Sequence, residues 1–194
     1  MRLRARPPAG PRHLVSPGVY RLGSGGERDG LVSVPPGYRP DVPAPLLVLL
    51  HGAGADAACL LPLYLRQADR DGVLILAPDS RGATWDIIQG GHGPDIAFLD
   101  AALDRVFAAW AIRPDRVAIG GFSDGASYAL SLGLANGDLF ADILAFSPGF
   151  ALPAAYEGTP RIFISHGTAD AVLPTDRCGR ALRSRLTRAG YEVL

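Results

Sequence analysis

The amino-acid sequence predicts an α/β fold in which helices cover both faces of a mostly parallel sheet. Short, continuous apolar runs alternate along the chain with longer segments of helical periodicity, and this alternation is typical of parallel sheets. Residues with catalytic potential directly follow four of the runs, at His51, Ser123, Ser147 and residues 166–170. Because such sheets bind ligands at the carboxyl ends of their strands, the pattern predicts one functional edge.

The predicted strands begin with an antiparallel edge hairpin, residues 19–22 and 31–34, on either side of a glycine-rich turn. Residues 35–45 contain five prolines and are expected to form a crossing loop. Five largely apolar runs then predict strands, at residues 46–50, 73–77, 116–120, 143–146 and 162–164, of which the first two are expected to be buried.

The predicted helices lie between these strands. Residues 57–68 form a helix that Asp56 caps and that kinks or restarts at Pro62. Pro94 opens a second helix, which Pro114 ends, with one apolar face made of Leu99, Leu103, Val106 and Trp110. Residues 126–135 form a third. The last spans residues 176–189, is closed by Gly190, and has Cys178, Leu182, Leu186 and Ala189 facing inward.

Composition limits the classes of protein that this chain can represent. A length of 194 residues predicts a single domain, residues 13–194, preceded by a loose, arginine-rich tail at residues 1–12. Equal numbers of basic and acidic residues, 19 each, provide no field for binding nucleic acid, and no apolar run approaches a membrane span of roughly 18 residues. No secretory signal is recognisable, so we expect a cytoplasmic protein. No pair of histidines has the spacing of a metal site and no stretch has a dinucleotide-binding fingerprint, so we expect neither a metal nor a cofactor.

The stretch VAIGGFSDGA, residues 117–126, predicts a nucleophile. An apolar strand leads directly into Gly121, Ser123 and Gly125, and an alanine- and leucine-rich helix follows. Glycines on both sides leave room for a serine in a strained backbone conformation at a sharp strand-to-helix turn, which exposes its hydroxyl. We interpret Ser123 as the nucleophile.

A serine nucleophile needs a histidine base, a carboxylate that orients the base, and donors for the oxyanion. Asp170 follows a strand and fits the chain order serine, acid, histidine, so it is the predicted acid. The predicted oxyanion donors are the backbone N–H groups of Asp124, at a helix N-terminus, and of Ala53, in the turn after residues 46–50. His51 precedes Ser123, which is the wrong order for a base, and is expected to shape its turn.

Five stretches together carry a family resemblance: HGAGAD, APDSRGATWD, GFSDGASYALSL, FSPGF and HGTADAVLP. They cover most of residues 46–174. The sequence resembles the α/β-hydrolase superfamily and, within it, carboxylesterase and phospholipase-like serine esterases, including polyhydroxybutyrate-depolymerase-like relatives. The resemblance implies the same nucleophile, acid and oxyanion donors, and a small-molecule ester as substrate.

The sequence departs from this family at the base. In the family a histidine follows the last strand, whereas residues 171–194 contain none and end on what resembles the opening of that strand. One interpretation is a fragment whose base lies one or two dozen residues further on. In a second, His92 or His166 substitutes, although His166 lies in the turn of the acid. In a third, the chain folds and binds a ligand without turnover.

Aromatic and apolar residues near the predicted strand ends suggest an apolar wall for a short or medium acyl group. The members of this wall are Trp85, Phe122, Phe146, Phe150, Tyr156 and Leu173. The candidate substrate contacts are His51, Trp85, His92, Phe122, Phe150 and Leu173. The sequence therefore predicts a serine carboxylic ester hydrolase, and the alternative is a catalytically silent hydrolase fold that acts as a binding protein.

Overall fold

The computed structural model describes residues 2–8, 16–26, 28–91 and 93–194, and its centre is a seven-stranded sheet. The strands are β1 (Gly18–Arg21), β2 (Gly30–Val34), β3 (Ala44–Leu50), β4 (Leu74–Pro78), β5 (Ile112–Phe122), β6 (Asp142–Phe146) and β7 (Arg161–Ser165). Their order across the sheet is β1-β2-β4-β3-β5-β6-β7. β4, β3, β5, β6 and β7 run parallel, and β2 pairs antiparallel with β1 and with β4. The predicted parallel sheet with an antiparallel edge hairpin is confirmed.

Helices cover the sheet on both faces. They are α1 (Ala57–Leu60), α2 (Leu65–Asp71), α3 (Pro94–Ala109), α4 (Asp124–Ala135) and α5 (Gly179–Arg188), with 3-10 turns at Leu61–Leu63 and Asp86–Gln89. The first two pack on a small cluster that includes Leu49 and Ile75, while α3, α4 and α5 contribute to the main core around Ile119. Within the described residues, none of these helices has both the length and the apolar character needed to cross a bilayer.

Prolines and glycines explain where the helices differ from the prediction. The helix expected at residues 57–68 is broken at Pro62, which lies in the first turn of a 3-10 segment because its ring cannot follow a continuous helix. Asp56 caps α1 as expected and accepts a hydrogen bond of 2.8 Å from the Cys59 N–H. The last helix begins at Gly179, with Cys178 as its N-cap, and Gly190 follows it with a φ of 91°.

Two other helix predictions are wrong in detail. Trp110 is the extended residue after α3 rather than part of the helix, and Ala189 is exposed. Pro114 does not separate a helix from a strand. It lies inside β5, in an irregularity where Ala44 pairs with Ile112 but Leu46 pairs with Val117. A strand tolerates proline at such a bulge because the missing N–H has no partner there.

Residues 2–8 are packed against the domain, although the sequence predicted a loose tail. Leu3 and Ala5 are 1% and 3% exposed. The Leu3 N–H donates to the Asn136 side chain at 2.8 Å, and the Arg4 and Ala5 N–H groups donate to one Asp100 oxygen at 2.6 and 2.9 Å. Since these bonds join the segment to α3 and to the end of α4, we call residues 2–8 the N-terminal strap.

The residues after α5 return to the edge of the sheet. Val193 forms a parallel bridge with Ile162. The Leu194 N–H donates to the Ile162 carbonyl at 2.9 Å, and the Ile164 N–H donates to the Leu194 carbonyl at 3.0 Å. Residues 191–194, which were predicted to open a strand, thus pair with β7 through one isolated bridge.

Candidate active site

Ser123 lies in the sharp turn between β5 and α4. Its φ of 55° and ψ of −118° are unusual for a residue with a side chain, and a cost of about 1–3 kcal/mol is typical for such a conformation. The conformation is held by the Ser123 N–H, which donates to the Phe146 carbonyl of the neighbouring β6 at 2.9 Å. Within the described part of the chain, no group forms a hydrogen bond with the Ser123 hydroxyl, which is half-buried at the strand end.

Close backbone packing explains the glycines on either side of this turn. A Cβ atom on Gly121 would lie 2.5 Å from the Gly125 carbonyl carbon. A Cβ atom on Gly125 would lie 2.2 Å from the Leu50 oxygen and 2.4 Å from the His51 oxygen. The turn therefore fits against the end of β3 only where side chains are absent, as the sequence predicted.

Two backbone N–H groups lie at the same edge as the Ser123 turn. Ala53 is exposed in the turn after β3, next to Gly54, whose φ is 69° and whose N–H donates to the Ala83 carbonyl at 2.8 Å. No described residue accepts a hydrogen bond from the Ala53 N–H. Asp124 is the first residue of α4, where an N–H has no acceptor within the helix. Its carboxylate accepts a bond of 2.6 Å from the Thr84 hydroxyl.

The imidazole of His51 is completely buried and holds this turn in place. The Gly52 carbonyl, 2.7 Å from Nδ1, can only accept, so Nδ1 carries the hydrogen. Nε2 then accepts the Ser80 N–H at 3.0 Å. Burial lowers the pKa of His51, and the Gly52 bond opposes this only in part. The expected turn-shaping role agrees with these contacts. The side chain has no exposed surface, and the expected substrate contact stays a prediction.

Asp170 lies in the turn after β7, and its carboxylate is fixed by backbone donors. One oxygen accepts the N–H groups of Leu173 at 2.9 Å and Val172 at 3.0 Å. The Leu173 N–H is the main reason why the pKa of Asp170 lies below its usual range. The other oxygen is 3.4 Å from His166 Nε2. Since β6 alone separates β5 from β7, about 10 Å separates the two strand axes, which leaves room for a side chain between Ser123 and Asp170.

His166 is engaged within the turn of the acid. Its Nε2 lies 2.6 Å from the Leu173 carbonyl, and its side chain is 4% exposed. Its Nδ1 is buried against Gly179, where an added Cβ would lie only 2.8 Å away, and it has no partner among the described residues. Nε2 is therefore occupied by the Leu173 carbonyl, and Nδ1 is enclosed beside Gly179. His13 and His92 lie outside the residues that the structure describes.

A cleft of about 250 Å³ opens beside Ser123. Its lining is mostly apolar and consists of His51, Gly52, Ala53, Ala55, Cys59, Leu60, Phe122 and Ser123. Of the six residues predicted to form an apolar wall, Phe122 lines this cleft and is 49% exposed. Sequence reasoning missed Cys59 and Leu60, although both follow the HGAGAD turn within one helical turn of Asp56.

The other predicted wall residues lie elsewhere. Trp85 is fully buried, so the expected substrate contact is wrong. Its ring stacks on Tyr128 with the ring centroids 5.2 Å apart, and its indole N–H donates to the His51 carbonyl at 2.8 Å. Phe150 packs against the main core. The remaining three each lie beside another residue. Leu173 lies beside Gly149, the ring centroids of Tyr156 and Tyr191 are 6.3 Å apart, and those of Phe146 and Phe163 are 5.9 Å apart.

The loop between β4 and α3 is held by two aspartates that sequence reasoning did not single out. Asp95 is 1% exposed, and its oxygens accept the N–H groups of Arg81 at 2.6 Å and Asp86 at 2.7 Å. Asp86 in turn accepts the Gly93 N–H at 2.8 Å. Burial raises the pKa of Asp95. The only signal in the sequence was one aspartate in the middle of a long loop and another in the first turn of the helix that follows, which is too common to be specific.

A sequence model of the phospholipase/carboxylesterase family matches residues 96–192, half of the chain. The chain belongs to this family. Among curated relatives, feruloyl esterase C of Emericella nidulans is 26% identical over 178 residues, and probable feruloyl esterase C of Aspergillus niger is 24% identical over 178 residues. Both matches cover 88% of this chain and 64% of the relative, so this esterase-family chain spans less than two thirds of their length.

Solved structures share its α/β-hydrolase fold. The S-formylglutathione hydrolase of Staphylococcus aureus gives a TM-score of 0.74 at 17% identity, covering 93% of this chain and 89% of that one. A ferulic acid esterase of Anaeromyces mucronatus, solved in complex with ferulic acid, gives 0.68 at 18% identity and covers 100% and 89% of the two chains. The superfamily resemblance and the predicted fold class are both confirmed.

Proposed function

We propose that this chain is a serine carboxylic ester hydrolase of small or medium acyl esters, with Ser123 as the nucleophile. The observation that carries the proposal is the strained Ser123 turn, with its hydroxyl at an apolar cleft and, at the same edge, two N–H groups that have no acceptor among the described residues. Membership of the phospholipase/carboxylesterase family supports an ester as the substrate. Strain that the neighbouring backbone maintains is typical of functional turns.

In the proposed reaction the Ser123 oxygen attacks the ester carbonyl while a histidine accepts its proton. The oxyanion of the tetrahedral intermediate is stabilised by the N–H groups of Ala53 and Asp124, the second of which also lies at the positive end of the α4 dipole. The histidine then protonates the leaving alcohol, and an acyl-enzyme remains. Water, activated by the same histidine, releases the carboxylic acid.

Asp170 is the proposed orienting acid. Its lowered pKa keeps it ionised at neutral pH, as the partner of an imidazolium must be. The proposal assigns the base to neither of the two described histidines. His51 uses both nitrogens to hold the Ala53 turn, and His166 holds the turn of Asp170.

The lining of the cleft supports the proposed class of acyl group. Ala53, Leu60 and Phe122 present apolar surface beside the Ser123 hydroxyl, and 250 Å³ accommodates a short chain or one ring. Because two curated relatives are named feruloyl esterases, methyl ferulate belongs in the substrate panel beside p-nitrophenyl acetate and butyrate.

The test of the nucleophile is labelling with a fluorophosphonate, followed by peptide mass spectrometry. We expect the label on Ser123, and Ser123→Ala should lose both the label and the ester hydrolysis. Ser147→Ala is the matched control because Ser147 also follows a strand with a positive φ, 52°, and it should retain both. A label on another residue, or hydrolysis that persists in Ser123→Ala, would overturn the assignment. A chain with neither label nor turnover would favour the binding-protein alternative.

A second experiment identifies the base. His92→Ala and the unaltered chain are assayed with and without added imidazole, each corrected by its Ser123→Ala counterpart. A loss of turnover in His92→Ala that imidazole restores would assign the base to His92. Equal turnover of the two proteins, increased in both by imidazole, is the expected result and means that His92 is not the base. A loss in His166→Ala restored by imidazole would contradict the structural role given to His166.

A further inference from the structure

Two serine hydroxyls are buried on the inner face of α4. Ser127 is 1% exposed and Ser131 is fully buried. Each donates to the carbonyl four residues earlier, Ser127 to Ser123 at 3.3 Å and Ser131 to Ser127 at 2.7 Å. Each hydroxyl also accepts from a backbone N–H of the loop after β6. A helix serine that only completes its own helix does not need this second bond.

The bonds of Ser127 join the nucleophile turn to that loop. Its oxygen accepts the Gly149 N–H at 2.9 Å and lies 3.4 Å from the Phe150 nitrogen, which also donates to it. On the other side it contacts the carbonyl of Ser123 itself. Ser131 binds the Leu152 N–H at 2.9 Å, one helical turn further from the site.

The same loop touches the turn that bears Asp170. A Cβ atom added to Gly149 would lie 3.2 Å from Leu173 Cδ2 and 3.6 Å from the Ser127 hydroxyl oxygen, so the Leu173 side chain lies beside Gly149 with little space between them. The Leu173 N–H in turn donates to Asp170. A series of neighbouring groups therefore runs from the Ser123 carbonyl through Ser127, Gly149 and Leu173 to the Asp170 carboxylate, with hydrogen bonds at every step except that between Gly149 and Leu173.

We propose that Ser127 is a positioning residue that sets the distance between the turn of Ser123 and the turn of Asp170. The inference rests on the proposed function for its catalytic meaning, but the coupling of the two turns is a property of the fold. Ser127 is too deeply buried to touch a substrate. It acts through the backbone, because removal of its hydroxyl leaves the Gly149 N–H without its acceptor. The loop after β6, which lies beside Leu173, then loses one of its attachments to α4.

The coupling is measured by backbone amide shifts in ¹⁵N-labelled protein. Ser127→Ala should shift the amide signals of Gly149, Val172 and Leu173, although residues 172 and 173 are more than forty positions away in sequence. Ser131→Ala removes the same group from the same helix and is the matched control, and its shifts should be confined to the surroundings of Leu152. Gly149→Ala places a methyl group against the Leu173 side chain and should also shift the amide signal of Leu173.

The catalytic consequence is measured by the rate of fluorophosphonate labelling at Ser123. Because misplacement by about 1 Å can lower a rate about 100-fold, Ser127→Ala is expected to label about 10- to 100-fold more slowly. Its Tm should fall by no more than that of Ser131→Ala, so the loss of rate will not follow the loss of stability.

Two results would overturn the inference. One is that the signals of residues 170–173 stay unchanged in both Ser127→Ala and Gly149→Ala. The other is that Ser131→Ala moves them as much as Ser127→Ala does. Failure of the proposed function is separate, since it would appear as an unlabelled Ser123 in the unaltered chain, while the amide shifts would still decide whether the two turns are coupled.

Discussion

A methyl group at position 125 should separate the nucleophile turn from β3. In Gly125→Ala the new Cβ would lie 2.2 Å from the Leu50 oxygen and 2.4 Å from the His51 oxygen. Ordinary contact distances are about 3.5 Å, so the start of α4 must move on the order of 1 Å even if part of the overlap remains. The obstacle is the backbone of a buried strand, which cannot rotate out of the way.

The expected cost follows from two opposing contributions. Overpacking costs about 1–3 kcal/mol and should be near the upper value against backbone, while alanine in a helix recovers about 1 kcal/mol relative to glycine. A net loss of about 2 kcal/mol lowers the Tm of a domain of this size by about 4–8 °C. A shift of about 1 Å in Ser123 should also slow its labelling by up to about 100-fold.

The assays are differential scanning calorimetry and fluorophosphonate labelling, with Gly133→Ala as the control. Gly133 lies in the same helix two turns later, where an added Cβ meets the Ile143 side chain at 2.5 Å. Both variants gain helix propensity and a buried methyl group. Gly133→Ala adds its methyl group away from the Ser123 turn, so fluorophosphonate should label its Ser123 as fast as it labels the unaltered chain. If Gly125→Ala keeps its Tm within about 2 °C and labels as fast as Gly133→Ala, the packing argument is wrong.

Two further predictions concern stability. Burial lowers the pKa of His51 in the folded state, so the unfolded chain, with its ordinary value of 6.5, binds a proton more readily. The contribution of neutral His51 to the free energy of unfolding is therefore complete above about pH 6.5 and decreases as the pH falls. Urea denaturation at pH 7.5, 6.5 and 5.5 should show a steeper decrease in this free energy for the unaltered chain than for His51→Gln. Equal slopes would contradict this. In the N-terminal strap, Leu3→Ala should cost about 2–4 kcal/mol because Leu3 is 1% exposed, whereas Leu63→Ala, at a residue 78% exposed, should cost no more than about 0.5 kcal/mol. Equal urea midpoints of the two variants would mean that the strap does not contribute to the fold.

Much of the fold followed from local patterns. The continuous apolar runs predicted the parallel strands, and Gly121 and Gly125 predicted the close approach behind Ser123. The roles of Ser123, Asp170, Ala53 and Asp124 stay predictions that the experiments above test. What the sequence could supply was the chain order and the local turn chemistry, since both depend on residues close together in sequence.

The errors came from contacts between distant residues. Trp85 was expected in an exposed wall because it lies in a loop, but its N–H binds the His51 carbonyl 34 positions away and its ring stacks on Tyr128. The strap was expected to be loose because it has no periodic pattern, yet Asp100 and Asn136 supply acceptors for its N–H groups. Ser127 was overlooked because a serine within a helix has no distinctive local signal.

The way in which the N-terminal strap is attached has a practical consequence for protein engineering. Main-chain donors at three consecutive positions, 3, 4 and 5, make the attachment, so most replacements at position 4 should be tolerated, while proline at any of the three removes a bond. Arginines 2 and 6 both reach Asp138, at 2.7 and 2.5 Å. A purification tag joined in front of this segment should therefore carry a flexible spacer without acidic residues, because a strongly acidic fusion would compete with Asp138 for Arg2 and Arg6.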